Sequence, residues 1–106
     1  MKPFFEEKAV DDDGNLIVPR SQAFNKVGHA VHDLHPTFES FAYSDVIKTI
    51  CKQIFMMQKP TIAQGMYIFK NKEVGGKYNP HKDGSFMVTQ PQSVCGIWVS
   101  LDDATL

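Results

Sequence analysis

The chain has 106 residues, 42% of them apolar and 22% charged, with a formal charge of −1. That length allows at most one small domain of ordinary globular composition. The near-neutral balance argues against a nucleic-acid partner, and no run approaches the eighteen or so apolar residues of a membrane span.

Met1-Lys2-Pro3-Phe4-Phe5-Glu6-Glu7 lacks the apolar core of a secretory signal. Asp11-Asp12-Asp13-Gly14-Asn15 is a turn, and Leu16-Ile17-Val18 a short strand that Pro19 stops. Phe24, Val27, Val31 and Leu34 recur at three- and four-residue spacing, which predicts an amphipathic helix ending at Pro36. Ser44 is placed to cap a second helix carrying Val46, Ile47, Ile50, Cys51, Ile54 and Phe55 on one face.

Beyond Pro60 the period becomes extended. Thr61 to Phe69 is expected as a strand with Ile62, Gln64, Met66 and Ile68 on one face. A loop through Gly75, Gly76 and Pro80 leads to His81-Lys82-Asp83. Short strands are expected at Ser85 to Thr89 and at Val94 to Leu101. Helices followed by strands give an α+β order. The last strand is apolar on both faces and the chain stops soon after it, so residues 1–106 are expected to be a single, incomplete domain.

Cys51 and Cys95 each stand alone in apolar surroundings and are expected to be buried free thiols of a reducing compartment, the cytoplasm or the peroxisome. His29, His32 and His35 cannot converge on one metal from a single helix, because His35 lies about 240° around from His29. They are expected on helix faces, with His29 buried and hydrogen-bonded.

His81-Lys82-Asp83 carries the chemistry. On an extended backbone the first and third side chains share a face, with α-carbons about 6.6 Å apart at roughly 3.3 Å per residue. An imidazole and a carboxylate so placed can bind one metal ion and supply two of the three ligands of a 2-His-1-carboxylate iron site. A solvated polar loop is the plain alternative. Of the four histidines, only His81 has an acid two residues on. Trp98 shares its strand face with Gly96 and Ser100, which suggests a cavity wall rather than packed core. Gln64, beside Met66, is a weaker pocket candidate. Lys70, Lys72, Lys77 and Lys82 form a mildly basic stretch that is either an exposed loop or a dock for an anionic substrate.

The blocks Asn25-Lys26-Val27-Gly28-His29-Ala30-Val31-His32, Met66-Tyr67-Ile68-Phe69-Lys70, Pro80-His81-Lys82-Asp83 and Gly96-Ile97-Trp98-Val99 occur in this order. With Phe4-Phe5-Glu6 and the Asp-Gly-Asn turn, they resemble the phytanoyl-CoA hydroxylase family over nearly the whole chain. The resemblance implies part of a double-stranded β-helix, a jelly-roll or cupin-like barrel with N-terminal helices packed outside. It implies an internal section, without an N-terminal part and the C-terminal half. It also implies an Fe(II)- and 2-oxoglutarate-dependent dioxygenase that couples 2-oxoglutarate decarboxylation to hydroxylation of a small organic substrate, an acyl-CoA or another organic acid. O2 is the oxidant and ascorbate an accompanying reductant.

By the same resemblance His81 and Asp83 are iron ligands. Lys26, Met66, Lys82 and Trp98 belong with them to the 2-oxoglutarate site. A second iron-binding His and an Arg for the distal carboxylate are expected beyond Leu106. Arg20, the only Arg, lies in the wrong segment. The alternatives are a truncated, non-catalytic form and a cupin-like metal-binding module without redox chemistry.

Overall fold

A three-stranded antiparallel sheet organises the first two-thirds of the chain, in a computed structural model that describes residues 2–104. Met1, Thr105 and Leu106, the outermost residues of the expected domain, lie outside the described residues. The strands are β1 (Lys2–Phe5), β2 (Phe24–Gly28) and β3 (Tyr67–Ile68), with β2 central. β1 meets β2 with Phe4 opposite Lys26, and an irregularity follows before Phe5 pairs with Phe24. β2 meets β3 with Lys26 opposite Ile68 and Val27 opposite Tyr67. The helices are α1 (Val31–Leu34), α2 (Pro36–Ala42) and α3 (Asp45–Gln53). Together they make an α+β architecture.

The expected helix across Phe24, Val27, Val31 and Leu34 is replaced by a strand and one short helical turn. Its apparent period joins residues of two elements. Phe24 lies on β2 between the rings of Phe5 and Phe69, at 5.3 and 5.6 Å, while Val31 is buried at the start of α1. Ladder pairing on both edges of β2 outweighs the weak helical preference of Phe-Asn-Lys-Val-Gly. Pro36 ends one helix and begins the next. His35 is extended before it, as a residue preceding proline prefers, and Pro36 opens α2. The His35 Nδ1 accepts from the Thr37 amide at 3.3 Å and caps α2. α3 forms where the apolar pattern places it, with Ser44 Oγ accepting from the Ile47 amide at 3.5 Å. Ile54 and Phe55 fall just past its end.

Other expectations change more. The Asp11 turn forms, with Asp11 Oδ1 accepting from the amides of Asp13 and Asn15 at 3.1 and 2.7 Å. The strand after it is reduced to one bridge, Leu16 to Val10. Of Thr61 to Phe69 only Tyr67 and Ile68 are in a strand, with Gly65 bridged to Ala30. Neither Ser85 to Thr89 nor Val94 to Leu101 is in a strand. A strand exists by its ladder, and no edge among the described residues pairs with these segments. Cys51 is half-buried and Cys95 exposed, so the thiols are free but not buried. His29 is exposed; the buried histidine is His32, at 6% exposure.

The core is small. Ala9, Ala23, Val31 and Val74 are the buried apolar residues among those described. The radius of gyration is 16.1 Å, against about 13 Å for a close-packed domain of this length. α3 is only partly covered: Ile47, Ile50 and Cys51 are half-buried, while Val46 is 66% exposed and Ile54, just past its end, 68%. Among the described residues no helix is long and apolar enough to cross a membrane.

Candidate functional site

His81, Lys82 and Asp83 follow the Gly75-Gly76 loop. Lys82 is extended (φ −116°, ψ 122°), and Asp83 opens a short 3-10 turn over Asp83–Ser85. One extended residue between them turns both side chains to the same side. His81 Nε2 stands 3.2 Å from Asp83 Oδ1. The turn fixes Asp83 from behind, because its carbonyl accepts from the Phe86 and Met87 amides, both at 2.9 Å.

The other ring nitrogen of His81, Nδ1, lies 2.9 Å from the Asn79 carbonyl. A carbonyl only accepts, so Nδ1 carries the proton of this bond. In the neutral ring Nε2 then presents a lone pair to the Asp83 carboxylate. Two acceptors at this distance repel, and only a proton or a cation between them makes the approach attractive. Metal-binding histidines are held in this way, through a second-nitrogen N–H bonded to a carbonyl or carboxylate. Two donors side by side on one first-row metal, each about 2.1 Å from it, stand about 3 Å apart. The observed 3.2 Å fits such an ion. The described residues contain no group of three metal-binding side chains, so the pair supplies two donors and no third.

Two clefts meet at His81. One, of about 620 Å³, is lined by Lys82, Asp83, Gly84, Gln92, Val94 and Gly96 with His81 itself. Gly96 lies beside the carboxylate, where a Cβ would be in ordinary contact at 3.4 Å from Asp83 Oδ2. The other is a shallow, open depression lined by Asn25, Lys26, Lys77, Tyr78, Asn79, Phe86 and His81. The Tyr78 ring lies 5.3 Å from the imidazole and the Phe86 ring 6.5 Å from it.

Of the expected site residues, four gather here. His81 and Asp83 form the pair, Lys82 lines the first cleft, and Lys26 reaches the second from β2. The Lys26 ammonium also lies 5.3 Å over the Phe4 ring, across the strand pair. Met66 and Trp98 line neither cleft. Met66 covers Gly28 from the residue before β3, and Trp98 is 72% exposed. Gln64 is exposed as well. Asn79 and Lys77 were not singled out as site residues by sequence. Asn79 acts through its backbone, which leaves no side-chain signal, and Lys77 is one of four similar lysines.

Residues 1–106 match the model of the family described as phytanoyl-CoA dioxygenase (PhyH). The chain belongs to the phytanoyl-CoA dioxygenase family. Among its relatives, a phytanoyl-CoA dioxygenase of Arabidopsis thaliana is 46% identical over 103 residues, which cover 97% of this chain and 36% of the relative. Phytanoyl-CoA dioxygenase domain-containing protein 1 of Danio rerio is 44% identical over 102 residues, 95% of this chain and 35% of the relative. The Caenorhabditis elegans homologue of that protein is 43% identical over 104 residues, 97% and 36% of the two chains. The chain thus spans about a third of the length of these phytanoyl-CoA dioxygenase family members.

Proposed function

We propose that these residues form part of the metal and co-substrate site of an Fe(II)- and 2-oxoglutarate-dependent dioxygenase acting on a small organic substrate. The reading extends to the fold: β1 to β3 and the alternating segment 94–101 would belong to one double-stranded β-helix, and α3 would pack on its outside. The exposed Val46 and Ile54, and the large radius of gyration, favour a section that packs against more protein.

One observation carries the proposal. His81 Nδ1 is committed to the Asn79 carbonyl, and Nε2 faces a carboxylate oxygen at 3.2 Å. His81 and Asp83 would hold the iron, and the iron would supply the redox chemistry with O2 that amino-acid side chains lack. The protein's own part is to orient. Asn79 keeps the ring in the tautomer whose Nε2 can bind a metal, and the turn at Asp83–Ser85 keeps the carboxylate beside it. Lys26 would draw a carboxylate of 2-oxoglutarate into the cleft beside His81, since charge-assisted hydrogen bonds are the strong ones. The presence of two donors without a third favours a second reading for the 106-residue chain alone, as a weak metal binder without turnover.

Mn(II) titration followed by electron paramagnetic resonance tests the pair. Wild-type chain is expected to bind one ion. His81→Ala and Asp83→Asn should each weaken binding by about tenfold or more, the lower bound for loss even of a supporting partner. Asp83→Asn should still keep the ring in place, because an amide N–H can donate to Nε2. Mn(II) binding unchanged in both variants would overturn the proposal. Succinate formation from 2-oxoglutarate with Fe(II) and ascorbate separates the oxygenase from the inert reading.

A further inference from the structure

We propose that Asn71 is a positioning residue: its side chain fixes the loop 70–76 to β2 and so sets where the His81–Asp83 pair stands relative to Lys26. The consequence for the reaction rests on the dioxygenase reading, but the placement itself does not.

The segment after β3 first continues along β2 and then leaves it. Ile68 pairs with Lys26, and the Phe69 amide donates to the Asn25 carbonyl at 2.8 Å. Beyond that a side chain takes over from the ladder. The Asn71 side-chain nitrogen donates to the carbonyls of Gln22 and Phe24 at 2.9 and 3.0 Å. Both neighbours are acceptors, so the NH2 end of this amide, and not its oxygen, must face them. With the side chain making these bonds, the Asn71 backbone can turn away, and its carbonyl accepts from the Gly75 amide at 2.8 Å. The turn is tight. Glu73 is in the left-handed region (φ 77°), and a Cβ at Gly75 would lie 2.6 Å from the Asn71 carbonyl oxygen. Lys70 Nζ donates across it to the Gly76 carbonyl at 2.5 Å.

The loop is also seated in the fold. Val74 is buried, and Gly76 lies over buried Glu6, so close that a Cβ there would come within 3.1 Å of Glu6 Oε2. The chain is thereby reversed, and residues 77–81 run back beside β2, where Tyr78, Asn79 and His81 border the same depression as Asn25 and Lys26. The His81–Asp83 pair is shaped by its own neighbours, but those bonds do not say where on the sheet it lies. That information comes from upstream. Among the described residues, Asn71 is the last side chain before His81 that hydrogen-bonds to β2. Lys77 to Pro80 are all that separate the anchored loop from His81. Lys26, the cation proposed to draw the co-substrate, stands on the strand to which Asn71 ties that loop.

NOEs between residues 77–81 and Asn25 or Lys26, recorded by NMR on the metal-free 106-residue chain, test the assignment. Wild type should show them. Asn71→Asp keeps the shape of the side chain but sets a carboxylate against two carbonyls, and these NOEs should be lost. Gly75→Ala disturbs the same turn from its other end and should lose them too. The amides of Asn15 and Ile47, in the Asp11 turn and in α3, should keep their shifts in both variants. NOEs absent from wild type, or retained in Asn71→Asp, would overturn the proposal. So would their loss together with changed Asn15 and Ile47 shifts in both variants, since Asn71 would then support the whole fold rather than this placement. Mn(II) affinity should stay within about twofold of wild type in Asn71→Asp, because the pair is built by its own neighbours. A loss of about tenfold would put the effect on the pair itself and overturn the assignment. A wild type that shows the NOEs but binds no Mn(II) would refute the dioxygenase reading and leave the positioning role standing.

Discussion

Gly65→Ala is expected to loosen the junction between the end of β2 and the segment leading to β3. A Cβ at Gly65 would lie 2.5 Å from His32 Nδ1 and 3.3 Å from Val31 Cγ2. Heavy atoms of this kind rest at about 3.5 Å or more, so the imidazole must move. It has little room, being 6% exposed. Overpacking of this sort costs about 1–3 kcal/mol. Gly65 is not in the left-handed region, so alanine adds no backbone strain and recovers about 0.4–1 kcal/mol by restricting the unfolded chain. The net cost is about 1–2 kcal/mol, which raises the open population by about 5- to 30-fold. The junction has its own reporter. The Val31 amide donates to the Gly65 carbonyl at 3.4 Å, opposite a Gly65 to His29 bond of 2.7 Å. Hydrogen exchange at the Val31 amide should accelerate by that factor. Adding His32→Ala should return the rate towards wild type, because the clash is then removed. Unchanged exchange in Gly65→Ala would refute this reading of the packing.

Two further outcomes follow from local geometry. Gly96→Ala should leave Mn(II) affinity nearly unchanged, since its Cβ meets Asp83 Oδ2 at an ordinary 3.4 Å, whereas Gly96→Leu should crowd the carboxylate and weaken binding by about tenfold; equal affinity in both would remove residue 96 from the site. The Asp11 carboxyl is held below its usual 3.8, first by the Asn15 amide and, against the opposing effect of desolvation, also by the Asn15 side chain and the amides of Asp13 and Gly14. A carboxyl depressed by folding stabilises the turn above its unfolded value, and that contribution is lost as pH falls through the folded value. An NMR titration should show the Asn15 and Asp13 amides moving with Asp11 at a midpoint below 3.8, and a midpoint at or above it would contradict the hydrogen bonding seen.

Features whose geometry is settled within a few residues were readable from sequence. The Asp11 turn needs only its own side chain and two nearby amides, and the Ser44 cap needs only the next turn of helix. Pairing was not readable. Phe24 to Gly28 looks helical until β1, about twenty residues away in sequence, and β3, about forty residues on, claim its backbone groups. The same dependence explains the opposite error at Val94 to Leu101. Its alternation is that of a strand, but alternation states only which faces a strand would have, and a ladder also needs a neighbour. His32 was missed as the buried histidine because its cover is Gly65, a residue with no side chain to announce the contact.

The His81–Asp83 pair belongs to the first group, and this bears on function. Its convergence depends on one extended residue, Lys82, and on a turn whose bonds run from Ser85 back to Lys82 at 3.0 Å and from Phe86 and Met87 back to Asp83. None of these partners lies more than four residues from Asp83. The pair can therefore form without any strand pairing, and its geometry does not wait on the segment carrying Trp98. What the local bonds leave open is charge: with Nδ1 bonded to the Asn79 carbonyl, the 3.2 Å approach of Nε2 to the carboxylate is favourable with a proton or a cation between them. On the proposed dioxygenase reading a metal ion would take that place, and metal binding rather than folding alone would complete the site.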